Sequence, residues 1–142
     1  MAVVSVSMPD ALADQLDEFV DGQGYAGRSE AIREGVRGLL SEFDDVDLSD
    51  RPLMCVATAV FEYGSPRVER RISDLRHDHL DLVADNAHSH IGDGYCVELF
   101  VLEGRLETIS AFVGETRSIA GIHSVEYVLM PIDGIESLVA AE

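Results

Sequence analysis

The chain predicts an α+β protein in two parts: a β-α-α arm, then a β-α-β-β-α-β domain. Three observations carry this. The first forty residues hold one alternating apolar stretch followed by two runs at helical spacing. The last ninety open on a continuous apolar run, LMCVATAVF, and then switch repeatedly between helical and strand periodicity. Between them lies SEFDDVDLSDRP at 41–52, which is acidic, nonperiodic and ends in proline, as a linker does. The expected boundaries are 1–43 for the arm, 44–52 for the linker and 53–142 for the domain.

The arm begins with VVSVSM at 3–8. Val4, Val6 and Met8 alternate with Val3, Ser5 and Ser7, so a strand there has one apolar face and one small, mostly hydroxyl face. Pro9 and Asp10 suit the start of a helix. Leu12, Leu16, Phe19 and Val20 then share one face. Gly22 and Gly24 stop that helix. Ser29 is a candidate N-cap for the next, Glu30 complements its dipole, and Ile32, Val36, Leu39 and Leu40 form its apolar face. A single six-residue strand cannot stand alone, so the arm calls for a partner copy.

In the domain, Leu53–Phe61 reads as a buried strand holding Cys55 as a small hydrophobe. Residues 66–78 read as a helix with Val68, Ile72 and Leu75 inward and Arg67, Arg70, Arg71 and Arg76 outward. Strands are expected at 82–91 and 95–102. A helix follows Gly104, with Leu106, Ile109, Ala111 and Val113 apolar, and a last strand covers 122–130. This order is the split ferredoxin-like arrangement, of which ACT-type regulatory domains are examples. Residues 132–142 read as a tail without a motif.

Charge bounds the setting. The 142 residues carry 27 acidic against 10 basic side chains, a formal charge of −17, and every basic residue is Arg. Such a chain is often disordered, but 46% hydrophobic content in periodic order argues for a packed core. A folded protein with a carboxylate-covered surface suits a salt-rich, halophilic cytoplasm, where a Debye length of roughly 3 Å at molar salt screens the repulsion. No charged and apolar leader opens the sequence, and no apolar run is long enough to span a bilayer. Two cysteines, 55 and 96, make no disulfide framework. A reduced, cytoplasmic protein is expected.

The chemistry concentrates in HDHLDLVADNAHSHIGDGYC, residues 77–96. His88 and His90 are two apart, so a strand puts both on one face. Gly92-Asp93-Gly94 is a turn signal; as a three-residue hairpin loop it sets His90 opposite Cys96. His88, His90 and Cys96 then converge as two imidazoles and a thiol. His-x-His alone is weak evidence, since two strand histidines are often exposed and inert. A thiol at six residues beyond, with His77 upstream as first candidate for a fourth ligand, is stronger. Three imidazoles and one thiolate suit zinc, nickel(II) or copper(II), and the ligand types alone do not choose among them. Asp78 and Glu98 are candidates to orient an imidazole. His79 is a weaker candidate for a ligand, and His123 reads as structural or exposed.

The alternating strand, PDALADQLDEF, and GYAGRSEAIREGVR together resemble the ribbon-helix-helix DNA-binding family. That resemblance implies paired strands in the major groove, with Val3, Ser5 and Ser7 facing the bases and Arg28 and Ser29 at a phosphate. None of the three outward residues is a bidentate base reader. Residues 1–51 also carry twelve acids against four Arg, which opposes DNA binding at low salt.

Both halves together, with the VFEY segment and HDHLDLVADNAHSHIGDGYCVELFVLEG, resemble the nickel-responsive NikR regulators over residues 1 to about 131. The resemblance implies a homotetramer, a dimer of dimers. His88, His90 and Cys96 of one protomer and His77 of a neighbour would hold Ni(2+) in a square plane, one per subunit. It implies repression of nickel-uptake genes through a palindromic double-stranded DNA operator. It also offers a cation site near Glu30. Two other classes fit the residues: a regulator sensing another metal or an amino acid through the ACT-like domain, and an antitoxin-like or structural interaction module. A fully ligated four-coordinate site leaves no open position for a substrate, and no nucleophile triad or phosphate loop is present, so an enzyme is not expected.

Overall fold

The computed structural model describes residues 1–44 and 47–133. The chain divides into two compact units, Met1–Asp44 and Asp45–Glu142.

The first unit holds α1 (Asp10–Gln23) and α2 (Arg28–Ser41). Gly24, at φ 74°, ends α1 in the left-handed conformation that costs a glycine nothing. Neither helix has a buried residue. Leu12, Phe19, Ile32, Val36, Leu39 and Leu40 are all exposed. Residues 3–8 are unpaired in the single chain, as a strand that needs a second copy's strand for its ladder would be. One sequence expectation is corrected here. Ser29 is not the cap of α2: the helix starts at Arg28, Gly27 occupies the cap position, and no side chain caps it.

Among its described residues the second unit is a four-stranded sheet with two helices. In chain order it contains β1 (Leu53–Glu62), α3 (Pro66–Asp78), β2 (Val83–Ile91), β3 (Tyr95–Gly104), α4 (Leu106–Arg117) and β4 (Ile122–Pro131). The sheet order is β2-β3-β1-β4 and every neighbouring pair is antiparallel. This is the ferredoxin-like, ACT-type topology.

Burial on β1 alternates strictly. Leu53, Cys55, Ala57, Ala59 and Phe61 are buried against Val68, Ile72 and Leu75 of α3, Ile109, Phe112 and Val113 of α4, and Phe100 and Leu102 of β3. Each large apolar side chain so buried contributes roughly 1.5–3 kcal/mol before entropy is charged. The opposite face is apolar but bare. Met54, Val56, Val60, Val97, Leu99 and Val101 are half-buried, and Val128 and Met130 are exposed.

Two helix assignments change. On α4 the inward residue is Phe112, whereas Ala111 is exposed. On α3 Arg67, Arg70 and Arg71 point to solvent as expected, but Arg76 is half-buried and donates to Asn86 Oδ1. Residues 50–52 are tied into this unit. Arg51 forks onto Asp133 at 2.7 and 3.2 Å, Arg105 donates to the Asp50 carbonyl, and the Ile132 N–H donates to the Pro52 carbonyl at 3.0 Å. The expected tail at 132–142 lies mostly outside the described residues.

Candidate metal centre

The β2–β3 hairpin turns over Gly92–Gly94, with Gly92 at φ 61°. Its register pairs Ile91 with Tyr95, His90 with Cys96 and His88 with Glu98. Directly opposed side chains share a face. His88, His90 and Cys96 therefore meet, and their ligand atoms all lie within 4.8 Å of one another. Among the described residues no other group of three His, Cys, Asp or Glu side chains meets this way. The two histidines are largely exposed, while the cysteine is buried.

The surroundings fix the rings. His88 and His90 pack edge to face at 5.5 Å. Tyr63 stands edge-on to His90 at 4.9 Å, and Phe61 lies 6.0 Å from His88. His88 Nδ1 is 2.7 Å from Glu98 Oε2, and a carboxylate only accepts, so Nδ1 carries the hydrogen. In the neutral ring that leaves Nε2 as the lone-pair donor. A metal-binding histidine commonly hands its other N–H to a carboxylate in this way. Of the two acids singled out from the sequence, Glu98 does this. Asp78 ends α3 and is exposed.

Burial, followed by the charges of Glu69 and Glu98, pushes the Cys96 thiol up from its ordinary value. Alone it is therefore a protonated thiol. A metal cation reverses that logic, because binding drives the proton off. Two imidazoles and one thiolate are a borderline-soft set that fits nickel(II), copper(II) or zinc, and not calcium or magnesium.

His77 is not in this cluster. It is exposed on the last turn of α3, with Nδ1 2.7 Å from the Ser73 carbonyl, which leaves Nε2 outward. Glu69 is close enough to Cys96 to act on its thiol. His77 is eight residues further along the same helix, about 12 Å at 1.5 Å per residue. His79 is occupied elsewhere: its Nε2 is 3.0 Å from Glu115 Oε2, and its ring stands edge-on to Phe112. His123 lies 6.2 Å from the Tyr95 ring.

The arm residues expected at DNA are all accessible. Val3, Ser5, Ser7, Arg28 and Ser29 are exposed. Arg28 is not free, since Nε and Nη2 fork onto Asp17 at 2.6 and 2.7 Å. Glu30 pairs with Arg33 at 2.8 Å and joins no cation cluster.

Sequence reasoning missed Asn86 and Arg76. Asn86 Nδ2 donates to Glu98 Oε1 at 2.7 Å and to the Leu99 carbonyl at 3.1 Å. Its signal was present, since Asn86 stands two residues before His88 on the same strand face. Arg76 had no such signal, because an arginine on a helix reads as solvent-facing.

Residues 54–130 match the family described as the NikR C-terminal nickel-binding domain. The chain belongs to the NikR family. Residues 2–40 match the ribbon-helix-helix, copG family. A relative from Haloarcula marismortui is 55% identical over 135 residues, covering 95% of this chain and 97% of its own. One from Halobacterium salinarum is 52% identical and covers 94% of each chain. One from Pseudomonas putida is 28% identical, covering 94% of this chain and 96% of its own. All three carry the provisional name of nickel-responsive regulator. NikR proteins are regulators, not enzymes. No helix among the described residues is long and apolar enough to cross a membrane.

Proposed function

We propose that this chain is a nickel-dependent, DNA-binding transcriptional repressor of nickel-uptake genes, acting in the cytoplasm as a homotetramer. Residues 1–43 form the DNA-binding arm, 44–52 the linker, and 53–142 the metal-binding and tetramerisation domain. His88, His90 and Cys96 of one protomer and His77 of a neighbour hold one Ni(2+) per subunit. The observation that carries this is the convergence of three ligand atoms within 4.8 Å on one hairpin face. The separation of His77 from that face within one chain supports its donation to a neighbour.

The two exposed apolar surfaces support the assembly. Paired arms cover Val4, Val6 and the bare helix faces. Val3, Ser5 and Ser7 then line the outer face of a two-stranded ribbon, sized for a major groove. The bare sheet face of the second unit suits packing between domains, since contiguous apolar surface marks an interface. Nickel supplies bonds that join His77 of one subunit to the hairpin of the next. The protein shifts toward the arrangement that those contacts favour. Two arm dimers held together on one palindromic operator gain by effective concentration, which offsets their modest base readout.

The test is a nickel titration at molar salt, followed by absorption and by mobility shift of operator DNA. Wild-type protein is expected to develop thiolate-to-nickel charge-transfer bands and metal-dependent DNA binding. Cys96→Ala removes the bands, and both it and His88→Ala remove the metal dependence. Unchanged metal-dependent affinity in either variant overturns the proposal.

A further inference from the structure

Glu98 is a buried carboxylate, its side chain only 7% exposed. Such a group needs a donor at each of its oxygens, or it turns to find one. Oε2 accepts from His88 and Oε1 accepts from Asn86. The Asn86 amide is itself held in one sense. Its nitrogen faces two acceptors, Glu98 Oε1 and the Leu99 carbonyl, and its oxygen accepts from Arg76 Nη1. Flipping the amide would set oxygen against carboxylate and nitrogen against guanidinium. Donation thus converges on the Glu98 carboxylate: Arg76 donates to Asn86, and Asn86 and His88 both donate to Glu98. In the neutral imidazole this puts the hydrogen on Nδ1 and leaves Nε2 bare. Ile72 and Ser73 of α3 line the same cleft, between helix and sheet.

We propose that Asn86 and Arg76 are positioning residues of the nickel centre: they lock the Glu98 carboxylate so that His88 presents Nε2 alone. The proposal rests on His88 being a ligand, as argued above. A histidine free to exchange tautomers offers the wrong nitrogen part of the time. Its ring can also rotate away from Cys96 and His90. Fixing both in advance removes that cost from metal binding. Nickel and zinc differ in the geometry they demand of the same donors, so a fixed ring also bears on the choice between them.

The first measurement needs no metal. In full-length wild-type protein, the ¹⁵N shifts of the His88 ring are expected to report protonated Nδ1 and bare Nε2. In Asn86→Leu and Arg76→Met they are expected to report a mixture, with far-ultraviolet circular dichroism unchanged. The second is nickel affinity by chelator competition. Both variants are expected to bind about 10–100-fold more weakly. Arg76→Gln keeps a neutral N–H for Asn86 Oδ1, and it is expected to recover most of what Arg76→Met loses. A single wild-type-like tautomer and wild-type affinity in Asn86→Leu or Arg76→Met overturn the proposal. So does Arg76→Gln behaving like Arg76→Met, since that traces the effect to charge and not to the hydrogen bond. Absence of charge-transfer bands in wild-type protein instead overturns the reading of the site itself.

Discussion

The two units of this chain solve burial in opposite ways. The arm has fourteen-residue helices with regular apolar faces, yet neither buries a side chain within the chain. The second unit buries three phenylalanines completely, and its helices cover one face of β1 and β3. One unit is unfinished as a single chain. The other is finished on one side and bare on the other. Local pattern therefore specifies an element, but only topology within one chain gives it something to bury against. Where topology supplies nothing, burial needs a partner, which the proposed assembly takes from a second copy.

Breaking that contrast is straightforward. Val6→Asp puts a carboxylate on the arm's inner strand face, where it would be buried unpaired. It should dissociate the arms and reduce operator binding below detection, read by mobility shift and sedimentation. Retained binding would mean that the arm does not need its pair. Val101→Lys on the bare sheet face should act next most strongly. The domain stays folded, because that face is open in the protomer, but tetramers fall to dimers. Operator affinity drops about 100-fold as avidity is lost. A tetramer surviving in sedimentation would rule this face out as an interface.

A smaller effect probes the buried side of the second unit. Burial pushes the Cys55 thiol up to about 11 from an ordinary 9.0. The folded state keeps a proton that the unfolded chain releases. Its contribution is whole below pH 9 and is lost as pH rises toward 11. The loss is roughly 2–3 kcal/mol at about 1.4 kcal/mol per unit. Cys55→Val should flatten that part of the alkaline decline in denaturant unfolding of the second unit. An identical decline in the variant would show that other groups set it.

The second unit was legible because its signals are local and redundant. The hairpin loop at 92–94 sets the register, the register sets His90 against Cys96, and the two-residue period brings in His88. What escaped was carried by partners remote in sequence. Ala111 and Phe112 are adjacent apolar residues, and only the packed α4 shows which turns inward. Arg76 has the composition of a solvent-facing residue, and its partner Asn86 is visible only once helix and sheet are stacked. The strand at 3–8 was read from alternation that has no ladder within one chain. That pattern points to a ribbon that only a second chain completes.

The fork between Arg28 and Asp17 gives the acidic arm a built-in placeholder. The guanidinium already holds an oxyanion in the bidentate manner in which it would hold a phosphate. If the proposed phosphate contact forms there, the phosphate would evict a carboxylate instead of meeting a bare cation, so the protein side of the exchange would not be free of charge cost.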